Sequence, residues 1–216
     1  GDNYMTNSCC PGFFKYIEKM FPDEKDRISS TVSPMVATGR LVKKIDSDAK
    51  VVFIGPCTAK KSEATEISLK DSVDYVLTFE ELMALFEAFN IDLSKCSNED
   101  INDGSIFGRG FGASGGLAKS VQNYIAEKGL SFDFEPIKVS GPRQIKKTMT
   151  MAKLGRLEGN FIEGMMCEEG CINGAGKFLS GVKSKNTFDR KNGQSTKKSV
   201  LSNDKIKEFE DVNLER

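Results

Sequence analysis

Short apolar segments alternate with helical patterns along most of this chain, and this alternation limits the possible folds more than any other feature. It is typical of parallel sheets whose strands are joined by helices, so we predict an α/β fold with parallel sheets flanked by helices. The predicted strands are Lys50–Ile54, which reads as a continuous buried strand, Val73–Leu77, Ile137–Val139 and Asn160–Met165. The predicted helices are Phe13–Phe21, Pro34–Lys44, Phe79–Asn90, Leu117–Glu127 and Pro142–Leu154.

Length and charge exclude several classes of protein. The 216 residues suffice for one large domain or two small lobes with a substantial core. The 31 basic and 31 acidic side chains cancel, so nucleic acid and anionic membranes are not expected as partners. The apolar runs are far shorter than a bilayer span, and no secretory leader is recognisable. We therefore expect a soluble, cytoplasmic protein.

The composition changes near Gly181. From Gly181 to Asn203 the chain is rich in Lys, Ser, Asn, Asp and Gly and poor in apolar residues, which predicts a loose segment or linker. A short helix is predicted near Asp204–Val212. We therefore divide the chain into a domain of residues 1–180 and a polar C-terminal segment of residues 181–216.

The chain contains no histidine, which removes the usual acid/base group at neutral pH and the commonest nitrogen ligand for metals. Chemistry here must use sulfur, carboxylates or lysine. The cysteines are too few for a disulfide scaffold in a chain of this size, so metal binding or redox chemistry is the better interpretation. They are Cys9, Cys10, Cys57, Cys96, Cys167 and Cys171.

Three segments place five of these thiols, all except Cys96, near Gly or Pro: residues 7–12, 55–61 and 166–176. Small residues let the backbone approach an inorganic cluster closely. A 4Fe–4S cluster takes four thiolates, which one Cys from each of the first two segments and two from the third can supply. Adjacent residues in extended backbone point to opposite sides, so one of Cys9 and Cys10 is left for another task.

The positions of three thiols predict their local structure. Cys167 and Cys171 have i, i+4 spacing, which predicts one face of a helical turn. We interpret Cys96 as a buried thiol that packs as a small hydrophobic side chain.

The Gly110–Gly115 segment satisfies G-x-G-x-x-G but follows no convincing strand, so we interpret it as a turn that opens the next helix rather than a nucleotide site. Methionines near these motifs are expected to fill core space rather than bind iron.

At these motifs the sequence resembles the C-terminal, H-cluster-binding domain of the FeFe (iron-only) hydrogenases. That family's signatures are similar to Thr-Ser-Cys-Cys-Pro, Pro-Cys-x-x-Lys-Lys-x-Glu and Met-Ala-Cys-x-x-Gly-Cys-x-x-Gly-Gly-Gly, and they occur here in the same order, over Asn7–Gly176. The resemblance implies a two-lobed α/β architecture. It also implies that a further upstream segment of the domain is missing, so that the chain is a fragment.

The resemblance assigns roles to individual residues. It implies that a 4Fe–4S cluster is held by Cys10, Cys57, Cys167 and Cys171, with Cys171 bridging to a di-iron unit that carries CO, CN and an azadithiolate. Cys9 then matches the thiol that relays protons, and Ser29 the next hydroxyl on the route. Lys60 matches the lysine that donates to a cyanide, and Met165 lines the di-iron pocket. Glu63 matches a motif position without an assigned role, and Lys61 fits a solvated surface lysine.

Several positions depart from the family pattern. Phe13 stands where Trp is usual, Met35 where Gln is usual, and Gly55 where Met is usual. These changes keep the thiol ligands but alter their surroundings, as in divergent branches associated with H2 sensing.

The resemblance implies a ferredoxin-linked hydrogenase that interconverts H2 with protons and electrons, or an H2 sensor. Its partners would be ferredoxin or another electron carrier, and hydrogenase maturation factors. A different class remains open, namely an iron–sulfur carrier or assembly protein that binds only the 4Fe–4S cluster, like the prelamin-recognition proteins. A structural zinc site built from the same thiolates is a third alternative.

Overall fold

The computed structural model of the chain describes residues 3–99, 101, 103–179 and 181–216. The strands are β1 (Met5–Thr6), β2 (Val52–Ile54), β3 (Tyr75–Leu77), β4 (Pro136–Ser140) and β5 (Phe161–Met165). The helices are α1 (Pro11–Met20), α2 (Pro34–Ile45), α3 (Ala59–Ala64), α4 (Phe79–Ala88), α5 (Ile106–Gly110), α6 (Gly116–Lys128), α7 (Pro142–Lys153) and α8 (Gly181–Gly193). Short 3-10 helices cover Pro22–Arg27, Ile67–Leu69, Leu93–Lys95, Cys171–Asn173 and Asp204–Phe209.

Two parallel sheets organise these elements. The first has the strand order β1-β5-β4, and Val139 pairs with Gly164 in its register. The second consists of β2 and β3, with Phe53 paired with Val76. The predicted α/β fold with parallel sheets and flanking helices is therefore confirmed. Within the described residues, none of the helices combines the length and the apolar character that crossing a bilayer requires.

The first sheet carries the larger core. Helices α1 and α7 pack against it because their apolar side chains recur at helical spacing, as Phe13 and Ile17 do in α1. The Phe13 ring lies directly on Gly164 of β5, where no Cβ fits. This contact brings the beginning of α1 close to the end of β5. The buried members of this core are Tyr4, Phe13, Ile17, Val139, Ile145, Met149, Ala152 and Ile162.

The second sheet covers a smaller core on one side only. Phe53 packs against the core that includes Val36 and Leu69, whereas Val52 and Ile54 are 45% and 42% exposed. The sequence predicted a continuous buried strand over Lys50–Ile54. A strand is present there, over Val52–Ile54, but the prediction that it is buried is wrong. Successive side chains of a strand point to opposite faces, and only one face of this small sheet is covered in the described part of the chain.

The prediction of a loose segment over Gly181–Asn203 is wrong for its first part, because Gly181–Gly193 forms α8, whereas residues 194–203 form neither helix nor strand. Composition underestimated this helix because it is held by a few contacts with distant residues. The hydroxyl of Ser184 donates to the Ile172 carbonyl at 2.9 Å, and the Phe188 ring lies against Gly112. The predicted short helix near Asp204 is present as a 3-10 helix over Asp204–Phe209.

Candidate metal centre

Four thiols from three separate segments line one cavity of about 130 Å³: those of Cys10, Cys57, Cys167 and Cys171. Cys10 immediately precedes α1, and Cys57 follows the end of β2. Cys167 and Cys171 follow the end of β5. Carboxyl ends of parallel strands are the usual ligand sites of open α/β sheets, which explains why distant segments meet here. Met165, which is 2% exposed, lines the same cavity.

The loops around this cavity are fastened to one another by backbone contacts. The amide of Gly176 donates to the Pro56 carbonyl at 3.0 Å, next to Cys57. Gly174 lies against the same carbonyl so closely that a Cβ has no room. The amide of Met166 donates to the Cys10 sulfur at 3.5 Å. Glycine at these positions therefore lets the thiol-bearing loops approach one another.

Cys167 and Cys171 share the cavity without sharing a helical turn, so that prediction is wrong. The Gly170 amide donates to the Cys167 carbonyl at 3.1 Å and closes a turn. Glu169 and Gly170 then have φ values of 62° and 95°. Positive φ interrupts a right-handed helix, and a 3-10 helix begins at Cys171.

Burial dominates the electrostatics of these thiols. It raises the pKa of Cys10 and Cys167, and it raises the pKa of Cys171 to about 12. The neighbouring thiols raise the pKa of Cys171 further, whereas the Lys60 ammonium lowers it. Metal binding requires thiolates, and several thiolates in one buried cavity need a cationic centre to balance them.

The donor set fits a multi-iron cluster better than a single ion. A tetrahedral zinc site places four sulfurs about 2.3 Å from one point and leaves no cavity between them. Among the side chains that the structure describes, no three Cys, Asp or Glu groups converge closely enough for a lone ion. Four thiols around a cavity of about 130 Å³ are instead suited to a 4Fe–4S cube.

Cys9 lies in a neighbouring cavity of about 340 Å³, which Ser29 also lines. The Asn7 amide donates to the Cys9 sulfur at 3.2 Å and fixes its position. Burial raises the pKa of Cys9 to about 11, although the Asn7 hydrogen bond lowers it. Cys9 thus lines a different cavity from the four clustered thiols, and Ser29 lines the same cavity as Cys9.

Lys60 is buried beside the Cys9 backbone. Its Nζ lies 2.6 Å from Oε2 of Glu63 and donates to the Cys9 carbonyl at 3.2 Å. Glu63 is fully buried and also accepts a hydrogen bond from the Ser33 hydroxyl at 3.1 Å. Lys61 is exposed and pairs with Glu81, which confirms its interpretation as a surface lysine. The sequence assigned no role to Glu63, but its i, i+3 spacing from Lys60 on a helix was an available signal.

A second buried carboxylate, Glu163, was missed entirely. Its Oε1 and Oε2 accept hydrogen bonds from the backbone amides of Gly115 and Ala118, each at 2.8 Å. Burial raises its pKa, while these hydrogen bonds oppose the shift. Glu163 thus ties β5 to the first turn of α6, and the glycine-rich turn opens this helix as predicted.

Cys96 was interpreted as a buried thiol, but the structure places it on the surface. It directly follows the 3-10 helix Leu93–Lys95, which has no buried residue. Its sulfur contacts only the Asp92 carbonyl, at 3.6 Å, among the hydrogen-bond partners described. The prediction failed because residue type alone does not report the packing of a segment. Met149, by contrast, is fully buried in the larger core, as expected for a space-filling methionine.

Comparison with known proteins supports the same chemistry. Residues 1–175 match the family model described as iron only hydrogenase large subunit, C-terminal domain. The periplasmic Fe hydrogenase large subunit of Nitratidesulfovibrio vulgaris is 29% identical over 79% of this chain and 50% of its own length. Iron hydrogenase 1 of Clostridium pasteurianum is 27% identical over 80% of this chain and 38% of its own length. The cytosolic Fe–S cluster assembly factor NAR1 of Kluyveromyces lactis is 35% identical over 43% of this chain and 20% of its own length.

The fold has relatives among solved structures. The FeFe-hydrogenase HydA1 of Chlamydomonas reinhardtii superposes with a TM-score of 0.70 at 21% identity, over 95% of this chain and 70% of that chain. An FeFe-hydrogenase structure that concerns oxygen inactivation of the H cluster superposes with a TM-score of 0.76 at 22% identity, over 99% of this chain and 72% of that chain. The chain spans half or less of the length of the curated hydrogenases that it matches.

Proposed function

The chain belongs to the iron-only hydrogenase family, in the C-terminal domain of the large subunit, and from this premise we propose that it is an iron–sulfur oxidoreductase domain. In this proposal it carries out, or senses, the reversible conversion of H2 into two protons and two electrons at an H-cluster. Cys10, Cys57, Cys167 and Cys171 would hold a 4Fe–4S cube, and Cys171 would also be the residue that holds a di-iron unit. The observation that carries the proposal is the single cavity lined by these four thiols.

The chain has a limited set of tasks in this reaction. The cofactor, when bound, supplies the splitting of H2 and the storage of electrons. The four thiolates anchor it. The Lys60 ammonium, fixed by Glu63, provides a buried positive charge for an anionic ligand such as cyanide.

Cys9 and Ser29 provide a path for protons. The Cys9 thiol accepts or delivers the proton, and the Ser29 hydroxyl, which lines the same cavity, would be the next group on the route. The Asn7 amide holds the Cys9 sulfur in place. The partners in this proposal would be ferredoxin or another electron carrier in the cytoplasm, together with hydrogenase maturation factors for the di-iron unit.

A second candidate function is iron–sulfur cluster assembly with the 4Fe–4S cube alone. The assembly factors among the relatives favour it, as do the departures at Met35 and Gly55 from the hydrogenase pattern. Such a protein has no evident use for a thiol outside the ligand set, so the separate cavity of Cys9 supports the hydrogenase-type function.

The two functions differ in metal content and in spectrum. We would co-express the chain with maturation factors, purify it without oxygen, and measure iron, acid-labile sulfide and infrared absorption. About six irons with CO and CN stretching bands support the hydrogenase-type site, and about four irons without these bands support the assembly function. One zinc and no sulfide would overturn both.

A further inference from the structure

The last residues of the chain return to the site. We call Leu214–Arg216 the C-terminal strap. The Val32 amide donates to the Leu214 carbonyl and the Arg216 amide donates to the Ser30 carbonyl, each at 2.8 Å. Thr31 and Glu215 form an antiparallel bridge. The strap is thus paired with residues 30–32 through an isolated antiparallel bridge.

This pairing reaches the segment that bears Cys9. The Ser8 hydroxyl donates to the Thr31 carbonyl, so residues 30–32 are bonded to the strap and to the neighbour of Cys9. Leu214 lines the cavity that contains Cys9 and Ser29. The strap is therefore part of the wall around the proposed proton path.

The side chain of Arg216 fixes the strap from the other direction. Its side chain is 8% exposed, and its Nη2 lies 2.8 Å from Oε2 of Glu66. Its carbon Cζ lies 3.9 Å from the centre of the Phe14 ring, a cation–π contact. Nη1 faces Oε1 of Glu63 at 3.5 Å. Oε2 of the same carboxylate holds Lys60.

Glu63 consequently lies between two buried cations. Its Oε1 has no hydrogen-bond partner among the described residues, so Arg216 is the cation that faces this oxygen. Buried charges need opposite charges near them. The positive charge of Arg216 is compensated by Glu66, so the charge of Glu63 still compensates that of Lys60. The Arg216 side chain thus contacts the carboxylate that positions Lys60. Its backbone amide, bonded to the Ser30 carbonyl, holds the strap whose Leu214 lines the cavity around Cys9.

We propose that Arg216 is a positioning residue: by anchoring the strap, one wall of the Cys9–Ser29 cavity, it limits the access of bulk solvent to Cys9 and holds the carboxylate that fixes Lys60. The proposal deepens the proposed function, since a shielded thiol and a fixed ammonium matter most in a proton-transferring site. The proposal concerns contacts between residues of this chain, and the accessibility of Cys9 that it predicts is measurable without the cofactor.

The test is the alkylation rate of Cys9 by iodoacetamide in the folded chain, metal-free under reductant and again after cluster reconstitution. Tandem mass spectrometry distinguishes Cys9 from Cys10, and a Cys96→Ala background removes the exposed thiol. We compare the parent with Arg216→Ala, Arg216→Lys and Glu66→Ala. Arg190→Ala is the matched control, because Arg190 is an exposed arginine on α8.

We expect Arg216→Ala to accelerate Cys9 alkylation about tenfold, because opening the strap exposes the thiol. Glu66→Ala should accelerate it less, Arg216→Lys should restore much of the protection, and Arg190→Ala should have no effect. Equal rates, within twofold, in the parent and in folded Arg216→Ala would overturn the proposal. If Arg216→Ala does not fold, Glu66→Ala decides, and a parent-like rate there also overturns it. Because the metal-free chain gives the same readout, failure to bind iron would refute the proposed function without affecting this result.

Discussion

Nζ of Lys60 and Oε2 of Glu63 lie 2.6 Å apart on successive turns of α3, and both side chains are buried. The pair sits against the Cys9 carbonyl, to which Lys60 also donates. Removal of one partner from a buried ion pair leaves an uncompensated charge, which costs far more than breaking an exposed pair. The stability of this domain and the geometry of its site therefore depend on the same two residues.

Glu63→Gln should lower the free energy of unfolding by about 3 kcal/mol, because the buried Lys60 ammonium loses its counter-charge. Urea unfolding of the metal-free chain measures the change. Glu208→Gln is the matched control, since Glu208 also pairs with a lysine at i, i+3 spacing but on the surface. It should leave the unfolding midpoint unchanged. Equal midpoints for Glu63→Gln and the parent would contradict a charged Lys60–Glu63 pair.

Serine substitution of each clustered cysteine tests the ligand set. Replacement of Cys10, Cys57, Cys167 or Cys171 should remove most of the roughly 400 nm absorption of the reconstituted cluster, because a 4Fe–4S cube needs four thiolates. Cys96→Ser should keep the full absorption, because Cys96 is exposed and lies outside the cavity. Absorption spectra and iron counts after anaerobic reconstitution give the result. A variant of one of the four that keeps parent-like iron content would remove that residue from the ligand set.

Cys9→Ser should separate cofactor binding from turnover. We expect it to keep the parent's iron content and absorption while H2 evolution from a reduced viologen dye falls at least about a hundredfold, as is typical when an acid/base group is lost. The assay uses chain matured with the di-iron unit, with the Cys96→Ser variant measured in parallel. Loss of the chromophore in Cys9→Ser would instead reverse the roles of Cys9 and Cys10.

Most helices were predictable because their signals are local. Pro11, Pro34 and Pro142 stand at the first helical positions, where proline is favoured. Thr78 and Glu81 form the capping box that their spacing indicates, with the Thr78 amide donating to Glu81 at 2.7 Å. Periodicity and caps act within a few residues, so the sequence displays them directly.

The convergence of the thiols was predictable because each motif follows a strand or precedes a helix in a parallel α/β fold. The buried charges around them were not. Arg216 and Glu66 are 150 positions apart, and no local pattern joins them. The helix α8 and the exposed face of β2 were missed for the same reason. The helix is held by contacts with residues elsewhere in the chain, and the face of β2 is exposed because none of the described segments packs on it.

Gly174→Ala should destabilise the loops that carry Cys57 and Cys171. A Cβ at Gly174 collides with the Pro56 carbonyl, which is backbone and cannot move aside cheaply. We expect a loss of about 2 kcal/mol in the free energy of unfolding, as for other overpacked sites, together with a weaker cluster absorption. Gly193→Ala is the control, because nothing lies within 4 Å of the added Cβ. Parent-like unfolding of Gly174→Ala would show that these loops do not pack as closely as described.

Glu163 should make the chain less stable as pH rises. Burial raises its pKa above the ordinary value of 4.5, against the opposing hydrogen bonds from Ala118 and Gly115. The folded state therefore holds this proton more tightly than the unfolded state does. Its contribution is fully present below pH 4.5 and is lost as pH rises through the folded pKa.

Urea unfolding of the parent and of Glu163→Gln from about pH 4 to pH 8 measures this contribution as a difference, in which the other titrating groups cancel. Glu163→Gln should gain stability relative to the parent as pH rises from about 4.5, because glutamine carries no charge to bury. Glu81→Gln is a control of opposite sign, measured down to lower pH: Lys61 lowers the pKa of Glu81, so the parent's advantage over this variant should be complete above about pH 4.5 and should shrink as pH falls through the folded pKa of Glu81. A pH-independent difference for Glu163→Gln would mean that burial does not set the protonation of this carboxyl, and that the amides at the start of α6 hold it ionised.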